Sequence, residues 1–291
     1  MRRWLGFVAS SLIATALFFQ TPVMAQQQER GLFITPPRQY LNVTPGKTTK
    51  SSITIANLTE KPLDVILSVE QFSVADLTYE YTFETPKENW ISLETTRTTL
   101  KKTESRVIPY VMNPPENARP GGHYFTIFAS ANFGEGKVVR AATVLYLTAA
   151  GKITKNSTIT EGSAPNISFG GDIPFRLDVK NTGNTHFIIY LSGIAKGLVP
   201  LAPPKSGEVA HVLLPETTRR MEGKIAPPTL PGFYQLSYGY RDEDGHEVQQ
   251  THYHLYAPLW SLAILGGGVW LVVLAWRRHS RLARELSTTD S

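Results

Sequence analysis

The side chains with most capacity for chemistry lie late in the chain. His252 and His254 sit at i and i+2, so on a strand they share one face, and two imidazoles so placed can bind a metal if a third ligand converges. No cysteine is available to supply it, and His246 lies beyond the turn residues Asp242, Glu243 and Asp244. The three histidines therefore read as polar surface. Asp242, Glu243, Asp244 and Glu247 lack the spaced Asp/Asn ligands and distal Glu of a calcium loop, and read as a solvated acidic turn. The chain contains no G-x-S-x-G, S-x-x-K or H-E-x-x-H motif. Its Gly266-Gly267-Gly268 run lies inside an apolar segment, where it suits close helix contact better than phosphate binding. These observations predict a protein that is not an enzyme and carries no metal or cofactor. Binding is then expected from loops or an exposed sheet face, with Trp90, Asn117, Arg119 and His123 as the candidate residues. For Trp90, in E-N-W-I-S-L, the competing use is packing across a core.

The scaffold around these side chains is written in the sequence pattern. Residues 258–276, PLWSLAILGGGVWLVVLAW, carry no charge, and as a helix would run ~28 Å, close to the hydrocarbon thickness of a bilayer. Trp260 and Trp276 sit near its ends, where indole rings favour the headgroup level, and Arg277, Arg278, Arg281 and Arg284 follow on one side only. This predicts a membrane helix with residues 277–291 as a cytoplasmic basic tail and the preceding chain outside. At the other end, Met1-Arg2-Arg3, the apolar run 4–19 and Val23-Met24-Ala25 match a cleavable signal peptide over 1–25. The alternative is a second, uncleaved membrane helix. The expected layout is a single-pass type I protein of a bacterial cell membrane.

Formal net charge is +5, from 29 Lys+Arg and 24 Asp+Glu. Two of the basic residues fall in the signal and four in the tail, so the exported part is close to neutral and offers no basic stripe for nucleic acid. Without cysteine, an exported body must be held by buried apolar area rather than disulfides.

Between the two ends, 20 Pro and 22 Gly punctuate short alternating segments. Ile53 and Ile55, then Leu63, Val65, Leu67 and Val69, then Ile173, Phe175, Leu177 and Val179 each alternate with other residues, as in strands with one face on a core. Two features recur: an Asn turn (Asn57-Leu58-Thr59; Asn181-Thr182-Gly183) and a Pro-Pro…Pro-Gly run leading into an aromatic strand (114–130; 227–240). Each copy of the second feature carries a tyrosine, Tyr124 or Tyr234, placed to bond back to backbone at a sandwich corner, and each leads to a hairpin, with Asp244-Gly245 suited to a type I′ turn. The expected fold is all-β: two tandem Ig-like β-sandwiches, 26–151 and 152–257, followed by a single C-terminal transmembrane helix over 258–276.

The run F-I-T-P-P-R…L-N-V-T-P-G-K (33–47), then SSITIANLTEKPLDVIL, NWISLE, NPPENARPGGHYFTIFAS and VKNTGNTHF before a helix with a basic tail, resembles the WxL-interacting proteins of Gram-positive surfaces. That resemblance implies a peptidoglycan-binding Ig-like domain followed by a second one that contacts surface or matrix proteins. The P-P-R at 36–38 and the strand-turn-strand after it also resemble the first domain of PapD-like pilus chaperones, which work through a strand edge. Those chaperones are soluble, and the anchor sets this chain apart. Two functions are thus expected. One is an anchored surface protein binding cell-wall polymer (peptidoglycan) or another surface protein. The alternative is an anchored assembly factor that pairs an edge strand with an exported partner, favoured if the first strand, 33–43, is unpaired.

Overall fold

The computed structural model describes residues 31–134, 136–197 and 208–289, with side chains through 278. The expected signal peptide, 1–25, lies outside the described residues. Among the described residues, eighteen strands and one helix follow in order. Of the alternating residues read from sequence, Ile53 and Ile55 of β3 (Thr49–Asn57), Leu63, Val65 and Leu67 of β4 (Leu63–Val74), and Ile173, Phe175, Leu177 and Val179 of β13 (Ile173–Asn181) are all buried. Val69 is only half-buried, and Asp178, between Leu177 and Val179, is buried with them and paired to Arg220.

Residues 33–43 do not form one strand. β1 (Leu32–Thr35) pairs antiparallel with β3, the chain turns at a cis Thr35–Pro36 bond, and β2 (Arg38–Val43) pairs parallel with β10 (Val138–Ala149) in the opposite sheet. Each piece is paired on one side and ends its sheet on the other. The four-stranded sheet is completed by β8 (Ser105–Met112) and β6 (Ile91–Leu93), in the order β1-β3-β8-β6. The six-stranded sheet runs β2-β10-β9-β4-β5, with β9 (Gly121–Asn132) and β5 (Tyr81–Glu84), while β7 (Arg97–Leu100) pairs with β4. Val43, Ile55, Val65, Leu100, Tyr110, Ile127 and Leu147 are among the side chains buried between them.

The second half repeats this course. β11 (Ser157–Ser163) pairs antiparallel with β13, then β12 (Ile167–Ser168) crosses to pair parallel with β18 (Glu247–Tyr256). The sheets are β11-β13-β16 and β12-β18-β17-β14-β15, where β14 is Phe187–Gly197, β15 Val209–Leu213, β16 Thr218–Ile225 and β17 Gly232–Asp242. A second core, including Phe175, Leu177, Ile189, Met221, Leu236 and Tyr238, fills the space between them.

The repeated asparagines explain the repeated turns. Asn57 and Asn181 are fully buried at equivalent strand ends, and neither has positive φ. Each works through its side chain. Asn57 Nδ2 donates to the carbonyls of Lys61 (2.8 Å) and Lys101 (2.9 Å), and Asn181 Nδ2 to those of Thr185 (2.8 Å) and Leu213 (3.0 Å). Their Oδ1 atoms accept the N–H of Thr59 (2.9 Å) and Gly183 (2.8 Å). One amide thus satisfies backbone groups that would otherwise be buried unpaired.

At 242–245 a correction is needed. Only Gly245 has positive φ (+90°), and Asp242 N donates to His246 O (2.9 Å), so the connection has three residues, with the glycine in the left-handed position, rather than a type I′ pair. The acidic turn is also not merely solvated, since Lys155 Nζ lies 2.5 Å from Glu243 and 3.0 Å from Asp244.

After β18, only Ala257 and Pro258 precede α1 (Leu259–Thr289). The apolar part, Leu259–Arg278, is long and apolar enough to cross a membrane and is nowhere buried against the sheets. The helix continues beyond the expected boundary at 276, because the sequence that follows, RRHSRLARELS, holds good helix formers and no Pro or Gly.

Candidate functional site

The structure brings three of the four sequence-derived binding residues together, at the start of β9. Trp90 is 3% exposed and belongs to the first core, so its ring packs inside the sandwich. It lies 4.0 Å, centroid to centroid, from the His123 ring, and its indole N–H donates to Glu88 (2.7 Å). His123 Nε2 is 2.8 Å from Arg119 O. Asn117 is exposed in the turn before them. Trp260, Trp276, Arg277 and Arg278 are all exposed along α1.

The histidines of β18 do not converge. His246 pairs with Asp242 (3.0 Å), His252 with Asn166 Oδ1 (2.8 Å), and His254 with Ser168 Oγ (2.8 Å) and Pro165 O (2.7 Å). His254 is 1% exposed, which corrects its assignment to surface: it ties the crossing strand to β18 from inside. Among the described residues no group of three His, Asp or Glu could hold a metal ion.

Sequence reasoning missed the seam between the two sheet pairs. Asp76, Leu77 and Tyr79, in the β4–β5 loop, dock on the β15–β16 hairpin. Leu77 N donates to Thr218 O (2.7 Å), Arg220 N to Leu77 O (3.2 Å), Thr218 N to Asp76 Oδ1 (2.8 Å) and Leu214 N to the Tyr79 hydroxyl (2.7 Å). The Arg219 guanidinium stacks 4.1 Å over the Tyr79 ring. Leu77 and Tyr79 have φ of 65° and 61°, a costly conformation for side chains of this size, held here by those bonds. Phe72, Tyr79, Tyr146, Val212 and Leu214 form a third apolar cluster across the seam.

On its other flank the seam opens as a cleft of about 290 Å³, lined by Tyr40, Asn42, Lys155, His186 and Glu243 among others. The His186 ring packs against Tyr40, Tyr124 and Tyr146 at 5.1–5.7 Å. Burial pushes its pKa down to about 4, so it is neutral at ordinary pH. Burial likewise raises the Tyr124 and Tyr146 phenols above their usual range. The Tyr124 hydroxyl is 3.4 Å from His186 Nδ1 and so serves the seam, whereas Tyr234 donates to Leu230 O (2.7 Å) in the corner role expected of both.

A second arrangement sits at the sheet edge. β10 pairs with β2 only from Val144 onward, so among the described residues 138–143 have a strand, β9, on one side only. Val138 is 63% and Val139 38% exposed there. Beside them Arg140 lies 3.7 Å over Phe128 and pairs with Glu70 (2.5 Å). An apolar, half-paired strand of this kind can accept another extended chain. Its counterpart, β18 before Leu255, is also short of a partner but polar, carrying Gln249, Gln250, Thr251 and His252. Gln250 reaches against Gly162 of β11, and His252 is bonded to Asn166.

No family model matches the chain, and no curated protein matches it. Among solved structures it is similar to the class 5 fimbriae chaperone CfaA, with 11% identity over 78% of this chain and 100% of that one and a TM-score of 0.43. It is similar to a chain of the Salmonella enterica SafA pilin–SafB chaperone complex, at 11% over 77% and 96% with a TM-score of 0.41. A third is a chain of the CsuC–CsuE chaperone–tip adhesion subunit complex of Acinetobacter baumannii, at 13% over 77% and 98% with a TM-score of 0.40. Likenesses this remote decide nothing about function.

Proposed function

We propose that this chain is a non-catalytic bacterial surface protein of two Ig-like domains, 26–151 and 152–257. It is held to the cell membrane by α1, with its sheets outside and its basic tail inside, and takes an extended segment of an exported polypeptide onto the free edge of β10. The observation that carries this is the stretch 138–143, which among the described residues has β9 on one side and no strand on the other, with Val138 and Val139 exposed, beside a polar and partly covered equivalent in β18. Backbone hydrogen bonds along the edge supply affinity, and the alternate side chains supply selectivity. A photo-crosslinking residue at Val138 or Val139 of the full chain, on intact cells, is expected to capture an exported polypeptide. The same residue at Gln249 is expected to capture none. Equal yields at both places, or no adduct at either, would sink this function.

A second reading keeps the wall polymer suggested by the likeness to WxL-interacting proteins. It is favoured by Tyr81 and Phe83, exposed on edge strand β5 with rings 6.0 Å apart and near parallel (10°), a surface on which the apolar faces of sugars can stack. Co-sedimentation with insoluble peptidoglycan, lost in Tyr81→Ala/Phe83→Ala, tests it. Absence of sedimentation by the unaltered protein removes peptidoglycan as a direct ligand.

A further inference from the structure

Three stretches of the second half contain no Lys, Arg, Asp or Glu: 162–171, 225–240 and 248–276. The fold brings them to one place. Ile167 of β12 pairs with Leu255 of β18, which pairs in turn with Phe233 of β17, at the end of the sheet from which the chain enters α1. Tyr234, Leu236 and Tyr238 of β17 pack on or in the second core, so alternation turns Phe233 to the outer face. Phe233 is 71% exposed, and Phe169, Leu230 and Leu259 are exposed around it.

The joint between this end and the helix is short and bonded. Two residues separate β18 from α1, Ala257 N donates to Ser168 O (2.9 Å), and Leu259 N donates to Phe169 O (3.2 Å). Phe169 is therefore fixed beside the first residue of the helix, with Trp260 one residue further on. If α1 crosses a bilayer, this end has no tether with which to stand away from it. At about 3.3 Å per extended residue, Leu255 is no more than ~13 Å from Leu259, and its neighbours Phe169 and Phe233 have rings that reach several ångströms beyond their own backbone. The polar layer of a bilayer is itself roughly 5–7 Å deep on each side, and aromatic rings favour it. A charged protein surface held there would gain nothing from the acyl boundary. The exposed Phe and Leu of the uncharged stretches bury their apolar area in it, while Asp172, Lys196 and Lys224, exposed at the same end, keep to the polar layer.

We infer that this end of the second sheet pair is a peripheral membrane-binding surface: Phe169, Leu230 and Phe233 seat in the headgroup–acyl boundary of the bilayer that α1 crosses. The contact would fix the tilt of both sheet pairs on the membrane, and with it the direction in which the β10 edge is presented. It rests on the proposal that α1 spans the bilayer.

The chain has no cysteine, so single substitutions give unique labelling sites. The full-length protein, labelled with an environment-sensitive fluorophore at Phe169→Cys, Phe233→Cys or Leu230→Cys, is placed in phosphatidylethanolamine–phosphatidylglycerol vesicles. The vesicles contain nitroxide lipids quenching at headgroup or at mid-acyl depth. Leu230→Cys keeps both phenylalanines in place, Leu271→Cys reports the span, and Val138→Cys reports the distant edge. Headgroup-level quenching of at least about twofold at 169, 230 and 233 is expected, with none at 138 and mid-acyl quenching at 271. Quenching at 271 while 169, 230 and 233 behave like 138 would overturn the surface and leave the span standing. No quenching at 271 would remove the span, and the surface with it.

Discussion

β1 and β2 in the first half do what β11 and β12 do in the second: one strand pairs antiparallel in one sheet, and the chain then crosses to lie parallel beside the last strand of the other. Asn57 and Asn181 occupy equivalent turns with equivalent bonds. The halves differ at their margins. The first adds β5 and β6 and a docking loop, and among the described residues leaves part of the β10 edge open. The second covers the matching edge with polar contacts and turns its uncharged stretches toward the helix. Tyr124 and Tyr234 show the same divergence in one residue, since one serves the seam and the other its own corner. The shared course closes both cores in the same way, and the halves differ where their sheets end.

The equivalence of the two halves is tested most severely at the asparagines. Asn57→Ala and Asn181→Ala each orphan buried carbonyls and an N–H, and each is expected to destabilise by about 2–4 kcal/mol in urea unfolding. A large loss in one and none in the other would show that the turns are not equivalent. Acid should separate the halves next. His186 and His211 lie in the second half, and burial holds both at about 4 against an ordinary 6.5, with Arg219 adding to the effect at His211. The unfolded chain therefore binds protons first as pH falls. Stability should be level above about pH 7, fall between about 6.5 and 4, and fall less steeply in His186→Gln. A slope unchanged in that variant would dissociate the seam histidine from acid sensitivity. Tyr234→Phe should cost about 1 kcal/mol, by loss of the bond to Leu230 O, and Tyr124→Phe less, since its partner is 3.4 Å away. Equal costs, measured by thermal unfolding, would return both tyrosines to the corner role. Smallest in stability is Val138→Lys, expected within about 0.5 kcal/mol of the unaltered protein while abolishing partner capture at Val139; the same change at Gln249 should alter neither.

The two uses of histidine on β18 show how far a pattern can be read. His252 and His254 share a face, as their spacing requires, but spacing says nothing of depth, and one is half-exposed while the other is sealed against Ser168 and Pro165. Trp90 was legible as a core residue from its place in a strand-like segment. Its contact with His123, from a segment over thirty residues away, was not. The docking loop at 76–79 carries no motif at all. Two of its residues hold left-handed conformations that their types disfavour, and only the seam bonds account for that.

Strand alternation, turn residues, the apolar helix and the uncharged stretches that flank it are all legible along the chain. Each is a local matter of side-chain period, backbone preference or charge along a few residues. Tertiary structure alone decided which edges stay open, which histidine is buried, and how the two sheet pairs meet at Tyr79, Tyr124 and His186. Those outcomes depend on pairings between residues far apart in the chain. An open edge is set by the strand that fails to reach it, and a buried imidazole by the neighbours that close over it.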